Sequence, residues 1–247
     1  MAVRKKVRPP SWEAQSLRLT IFLSTPFARE ASLWKDLTGE GPESDDHRPR
    51  EGLRRQVGTW QDRALEFVIT NPRIDLVMAP LITPAAQTVT MGSFATVFDE
   101  FGKLVRPWMA SAEMSCIRIA IGAALLSRTL SREASYALLG SLVPSVKYDA
   151  VNSREAFYRV NRPKTSSTLK GLELNRVTTW TGIRTRQSIL NPGGVTFQNA
   201  EQCYARLECD HSTHAERIEE IPKHNRVAMY DELAKMVLEN AKSGELA

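Results

Sequence analysis

Alternation of apolar and polar residues predicts several β-strands in the first part of the chain. In the segment SLRLTIFLS, two-residue spacing places Leu17, Leu19 and Ile21 on one face of a strand. The predicted strands span residues 16–24, 56–60, 63–70 and 73–82, and residues 40–52, rich in glycine, proline and acidic side chains, predict an exposed loop. The two-residue step between the second and third strands predicts a hairpin.

Spacings of three and four residues predict helices elsewhere in the chain. A helix over residues 94–108 begins behind Ser93, a residue type suited to the N-cap, and Pro107 is expected near its end. A shorter helix is predicted from Ser131. A C-terminal helix is predicted over residues 228–241, where apolar residues keep the same spacing.

Two short segments recur in order and predict an internal repeat. Residues 17–21 are echoed by 117–121, and residues 57–60 by 177–180. We therefore predict an α+β fold with two similar halves, each a mainly antiparallel sheet packed against a long helix. The predicted units are a flexible basic arm (1–15), a first half with its closing helix (16–111) and a second half with the C-terminal helix (115–243).

Composition indicates a folded protein of the cytoplasm. Hydrophobic residues make up 42% and charged residues 25% of the 247 positions, which is ordinary globular usage. The three cysteines, Cys116, Cys203 and Cys209, are an odd number, and the N-terminus lacks the apolar run of a signal peptide. The longest apolar run, residues 117–126, is far shorter than the ~20 residues that cross a bilayer, so no membrane contact is expected.

Positive charge is concentrated in two segments. The net charge is +5, residues 1–10 hold four cations, and residues 151–190 hold eight against two glutamates. Two-residue spacing would place Arg184 and Arg186 on the strand face that also carries Trp180 and Arg176. Cations and an aromatic ring on one face suit phosphates and stacked bases. The candidate residues for nucleic-acid or acidic-partner binding are Arg154, Arg159, Arg162, Lys164, Arg176, Trp180, Arg184 and Arg186.

The segment CYARLECDHSTHAERIEE raises the question of a metal site. Cys209, His211 and His214 are the candidate ligands, with Cys203 or His224 as a fourth. The spacing is not a standard one for zinc, and the alternative is a strand end with small buried cysteines. We therefore predict no metal here and no other cofactor.

Catalytic motifs are missing from the sequence. It contains no G-x-S-x-G nucleophile elbow, no P-loop and no G-x-G-x-x-G. Asp75 shares a predicted strand face with Arg73, which favours an ion pair over a nuclease carboxylate. For the segment around residues 210–211, two interpretations stay open: Asp210 and His211 form a catalytic pair, or they belong to a strand end that leads into an ordinary polar loop. The balance favours a protein that is not an enzyme.

A scattered set of residues resembles a known pattern. Trp34, Gly39 and Pro42-Glu43, followed by Arg73-Ile74-Asp75 and Pro80, resemble uncharacterised, sporadically distributed bacterial proteins built from strands and a terminal helix. The resemblance covers the first third of the chain. It implies a bacterial cytoplasmic setting and no particular activity.

These observations lead to a functional hypothesis of two parts. We expect a non-catalytic accessory or scaffold protein that binds a partner protein, or a second copy of itself, in a cytoplasmic bacterial assembly. The alternative is a nucleic-acid-binding module that uses residues 151–190 and the N-terminal arm.

Overall fold

The computed structural model describes residues 10–27, 33–82, 89–191 and 194–246, with the backbone alone for 186–191, 194–200 and 246. The strands are β1 (Glu13–Leu23), β2 (Ser44–Arg48), β3 (Leu53–Trp60), β4 (Arg63–Thr70), β5 (Arg73–Pro80), β6 (Cys116–Thr129), β7 (Phe157–Asn161), β8 (Lys164–Thr165), β9 (Glu173–Asn191) and β10 (Gly194–Thr213). The helices are α1 (Leu33–Thr38), α2 (Phe94–Ser111), α3 (Arg132–Leu142) and α4 (Arg226–Ser243).

All described strands belong to one sheet, and every pairing is antiparallel. The strand order is β2-β3-β4-β5-β1-β6-β10-β9-β7, with β8 paired to β9. The two long strands β1 and β6 therefore lie side by side at the centre. The β9–β10 hairpin is longer than its neighbours and continues beyond the end of β6 as a two-stranded ribbon.

The predicted division into two halves, each with its own sheet and long helix, is wrong. Strands β1 and β6 pair directly along most of their length, with Leu19 opposite Ile121, so both predicted halves contribute to one continuous sheet. The echo of residues 57–60 in 177–180 also fails, because β3 is the third strand outward from the central pair on its side and β9 is the second. A single buried core connects the strands and helices.

The four helices cover the same face of the sheet. Their positions are shown by contacts of Trp34 (α1) with Gly58, Trp108 (α2) with Phe67, Tyr136 (α3) with Gly182 and Asn240 (α4) with Arg176. Alternate strand residues point into this layer, and Leu17, Leu19 and Ile21 are among the fully buried ones. The predicted inward face of the first strand is therefore confirmed.

The local predictions hold in some places and fail in others. The hairpin of β3 and β4 is confirmed, and Gln61 and Asp62 both have positive φ (47° and 62°), as a two-residue turn of this kind requires. The predicted loop over residues 40–52 is wrong in part, because Ser44–Arg48 forms edge strand β2 on β3. Polar residues are tolerated there since an edge strand is solvated.

The helix boundaries show how the caps are made. Helix α3 begins beside Ser131 as predicted, and the Ser131 hydroxyl caps it by accepting from the Ala134 amide at 3.2 Å. Ser93 precedes α2, but its side chain makes no capping hydrogen bond. Helix α2 continues past Pro107, and the Arg226 guanidinium donates to the carbonyl oxygens of Ala112 (2.9 Å) and Met114 (2.6 Å) beyond its end.

Folded structure begins before residue 16. Residues 1–9 of the predicted arm lie outside the described part of the chain, while β1 begins at Glu13. The Trp12 side chain is buried, and its Nε1 donates to the Ala241 carbonyl at 2.8 Å. Residues 12–15 therefore belong to the fold. Among the described helices, none is long and apolar enough to span a membrane.

Candidate functional site

The sheet has a second face, opposite the helices, over which no described helix lies. We call this the uncovered face. On its four central strands it presents Arg18, Thr20 and Phe22 from β1, Arg73, Asp75 and Val77 from β5, Arg118, Ala120, Gly122 and Ala124 from β6, and Arg206, Glu208, Asp210 and Ser212 from β10. Arginines, carboxylates and small apolar residues thus alternate across it.

A glycine lets one arginine cross a neighbouring strand. Arg18, Gly122 and Asp210 are in register on β1, β6 and β10. The Arg18 Nε lies 3.3 Å from where a Cβ of Gly122 would be, and an Arg18 terminal nitrogen reaches the Asp210 carboxylate at 3.6 Å. Because Gly122 has no side chain, the arginine can lie flat over β6 and contact an acid two strands away.

Three residues in register form what we call the Arg–Phe–Arg ladder. Phe22 lies opposite Arg73 on one side and Arg118 on the other. The Arg73 Cζ is 5.6 Å and the Arg118 Cζ is 4.7 Å from the centre of the Phe22 ring. Both distances suit cation–π contacts, so one aromatic ring holds two guanidinium groups.

The two arginines of the ladder differ in their anionic contacts. Arg73 pairs with the Asp75 carboxylate at 2.6 Å, and Asp75 also accepts from the Thr20 hydroxyl at 2.6 Å. Arg118 donates to the Ser212 hydroxyl at 3.0 Å but forms no ion pair with a carboxylate in the described ranges. Its Nε is buried without a hydrogen-bond partner there. Burial lowers the pKa of Arg118, and the neighbouring Arg73 lowers it further, against the effect of Asp210.

Other charges of the uncovered face are satisfied within the sheet. Arg206 donates to the Gln15 side chain at 3.2 Å and pairs with Glu208 at 3.0 Å. Arg55 on β3 pairs with Glu66 on β4. Most of the arginines on this face therefore form ion pairs with carboxylates of the same face.

The predicted basic residues are scattered around one edge of the sheet, and several face acids. Arg162 lies 3.5 Å from Glu245, Lys164 4.0 Å from Glu239 and Arg184 3.3 Å from Glu201. Arg154 and Arg159 are exposed. The side chain of Arg186 lies outside the described residues. Binding by this region stays a prediction that involves its exposed cations.

Arg176 and Trp180 share one face of β9 with Arg184, as predicted, but that face is directed toward the helices. Arg176 is buried, and its Nε donates to the Asn240 side chain at 2.9 Å. Trp180 is fully buried against Trp12, with 6.4 Å between ring centres. An exposed row of cations and aromatics is therefore not formed by these two residues.

The three candidate metal ligands do not converge. Cys209 and His211 are buried beneath α4, whereas His214 follows at the half-exposed end of β10. Arg176 lies opposite His211 in the strand pair, and burial first and this cation second lower the pKa of His211 to about 3. Burial also raises the pKa of the Cys209 thiol. Within the described ranges, no three such side chains cluster as metal ligands.

The residues of the bacterial resemblance have structural positions. The Trp34 ring packs on Gly58, and the backbone amide of Trp34 donates to the Gln56 side-chain oxygen at 3.1 Å. The Glu43 carboxylate accepts from the Thr59 amide at 2.9 Å. These contacts hold α1 and the following loop on β3. No protein-family model matches the chain, and the curated proteins include no sequence similar to it.

Proposed function

We propose that the chain is a non-catalytic accessory protein of the bacterial cytoplasm that binds a partner protein on the uncovered face. The observation that carries this proposal is a broad sheet with helices on one face only. Its other face combines half-buried apolar residues such as Val77 with arginines held in fixed positions by Phe22, Asp75 and Asp210. Preordered arginines and aromatics are enriched where proteins bind each other.

The charge pattern favours a protein over a nucleic acid. A phosphate backbone is bound by cations that are free to replace its counterions. Here Arg18, Arg73 and Arg206 already pair with carboxylates on the same face. A nucleic acid would also meet those carboxylates, whereas a protein can present complementary charges of both signs.

The buried cysteines and histidine support a non-catalytic role. A nucleophilic thiol requires access to substrate and a lowered pKa. Burial instead raises the pKa of Cys116 to about 12, and Cys209 is buried beneath α4. All three cysteines are unpaired, which agrees with a reducing compartment.

The test compares two lysine substitutions on opposite sides of the molecule. Val77→Lys places a charge on the uncovered face, and Ser141→Lys places the same charge on the outer side of α3. Tagged chains are expressed in the native cell, and the captured proteins are quantified by mass spectrometry. We expect a protein that wild type and Ser141→Lys retain and Val77→Lys loses, with the melting temperatures of both variants near wild type.

Two outcomes would contradict the proposal. The first is a protein retained equally by both variants, which would place its binding site elsewhere. The second is recovery of nucleic acid with steep salt dependence, which would favour the alternative function.

A further inference from the structure

We infer that the Arg–Phe–Arg ladder is the point on the uncovered face that binds a carboxylate side chain, with Arg118 as the residue that holds it. This inference rests on the proposed function, because it names the chemistry of the partner segment. The occupant is an aspartate or glutamate side chain of the partner protein.

Arg118 has unused hydrogen-bonding capacity in a fixed position. A guanidinium group carries five N–H donors, and in the described structure one terminal nitrogen of Arg118 donates to Ser212, the other terminal nitrogen donates to no group, and the Nε is buried. The Phe22 ring supports the guanidinium from one side. A carboxylate arriving from solvent can therefore be bound by the two terminal nitrogens, in the two-pronged geometry that arginine favours.

The electrostatic environment also favours an incoming anion. Burial is the main cause that lowers the pKa of Arg118, whereas Asp210 raises it and Arg73 lowers it to a smaller extent. Arg73 is already paired with Asp75, and Asp210 approaches Arg118 only through its longer-range field. A carboxylate beside Arg118 would offset the cost of burying its positive charge.

The neighbours of the ladder favour a single carboxylate over a chain of phosphates. Asp75 and Asp210 lie on the same face, on the strands at either side of β1 and β6. A polyanion extending from Arg118 in either direction would approach one of these carboxylates, at an electrostatic cost.

The test uses capped tripeptides as probes of the free chain. Ala-Asp-Ala is titrated into the labelled protein, and the matched probe Ala-Asn-Ala removes only the charge. The Nε–H resonance of Arg118, assigned by its loss in Arg118→Lys, and the amide resonances of Phe22 and Ala120 report binding by NMR. Inorganic phosphate and a short oligothymidylate are titrated in the same way.

We expect Ala-Asp-Ala to shift these resonances and Ala-Asn-Ala to leave them in place. Arg118→Lys, which keeps the charge but loses the planar fork, should weaken binding about tenfold. The matched variant Lys235→Gln removes an exposed cation from helix α4, on the other side of the sheet, and should change the affinity by less than about twofold.

Three results would overturn the inference. They are no response at Arg118, equal binding by Arg118→Lys, and a response to phosphate or oligothymidylate as strong as that to Ala-Asp-Ala. If Val77→Lys still loses a captured protein while one of these results is found, the carboxylate site is refuted and the proposed function stands.

Discussion

Burial of His211, with Arg176 opposite it on the next strand, gives the protein a predictable sensitivity to acid. In the folded chain His211 stays neutral down to a pKa of about 3, whereas an unfolded histidine has a pKa near ~6.5. As the pH falls, His211 is therefore protonated in the unfolded state before it is protonated in the folded state. The folded state keeps its full stability above pH ~6.5 and loses stability progressively as the pH falls toward 3. Between pH 7 and pH 5 we expect about 2 kcal/mol of unfolding free energy to be lost through His211.

Urea unfolding at the two pH values measures this effect. In His211→Gln the loss between pH 7 and pH 5 should shrink by about that amount, since glutamine does not titrate. His214→Gln removes a half-exposed imidazole three residues away and serves as the matched control, which should follow wild type. A His211→Gln variant with the full wild-type dependence would show that another group is responsible.

Gly182 determines how closely helix α3 packs on strand β9. A Cβ at this position would overlap the Tyr136 ring and lie 3.1 Å from the Ser135 hydroxyl oxygen. Gly182→Ala should therefore destabilise the fold by about 1–3 kcal/mol through overpacking. Gly140→Ala, within α3, meets Tyr148 only at 3.7 Å and should stabilise by about 0.5–1 kcal/mol. Thermal unfolding of both variants checks the opposite signs, and equal effects would contradict this packing.

Helix α2 is anchored by aromatic residues on its inner side. Phe101 is fully buried, and Phe98 is 5% exposed and stacks on Phe94 with 5.0 Å between ring centres. Phe98→Ala and Phe101→Ala should each cost about 3–5 kcal/mol. Lys103→Ala, on the solvent side of α2, should change stability by less than about 0.5 kcal/mol. Chemical denaturation measures all three, and unchanged stability of Phe101→Ala would contradict its core position.

Individual elements could be predicted where their signal is local. The β3–β4 hairpin and the helices α2, α3 and α4 follow from spacing and turn residues that lie close together in the chain. Strand β2 was missed because an exposed edge strand can be wholly polar, and SDDHR has no alternating pattern. The shared face of Arg176 and Trp180 was predicted correctly, but alternation does not reveal which face helices will cover.

The arrangement of the whole molecule depends on pairings that local sequence does not encode. Residues of β1 meet β6 about a hundred positions later, and β6 meets β10 further on again. The repeated segments suggested two units, whereas the pairing of β1 with β6 joins them into one sheet. The contact of Phe22 with Arg73 and Arg118 was not predicted. The sequence does show that β5 and β6 both contain Arg-Ile near their start, at Arg73 and Arg118, which indicates two arginines at similar strand positions.

The central claim is that a partner protein lies on the uncovered face, and site-specific photo-cross-linking tests it most directly. Benzoylphenylalanine is introduced at Val77 or Glu208, on two strands of this face, and at Ser141 on the helix side. Irradiation in the native cell should join the same partner protein to positions 77 and 208 and leave position 141 without it. Cross-linking of that protein at position 141 alone, or of a second copy of the chain alone at positions 77 and 208, would contradict the account.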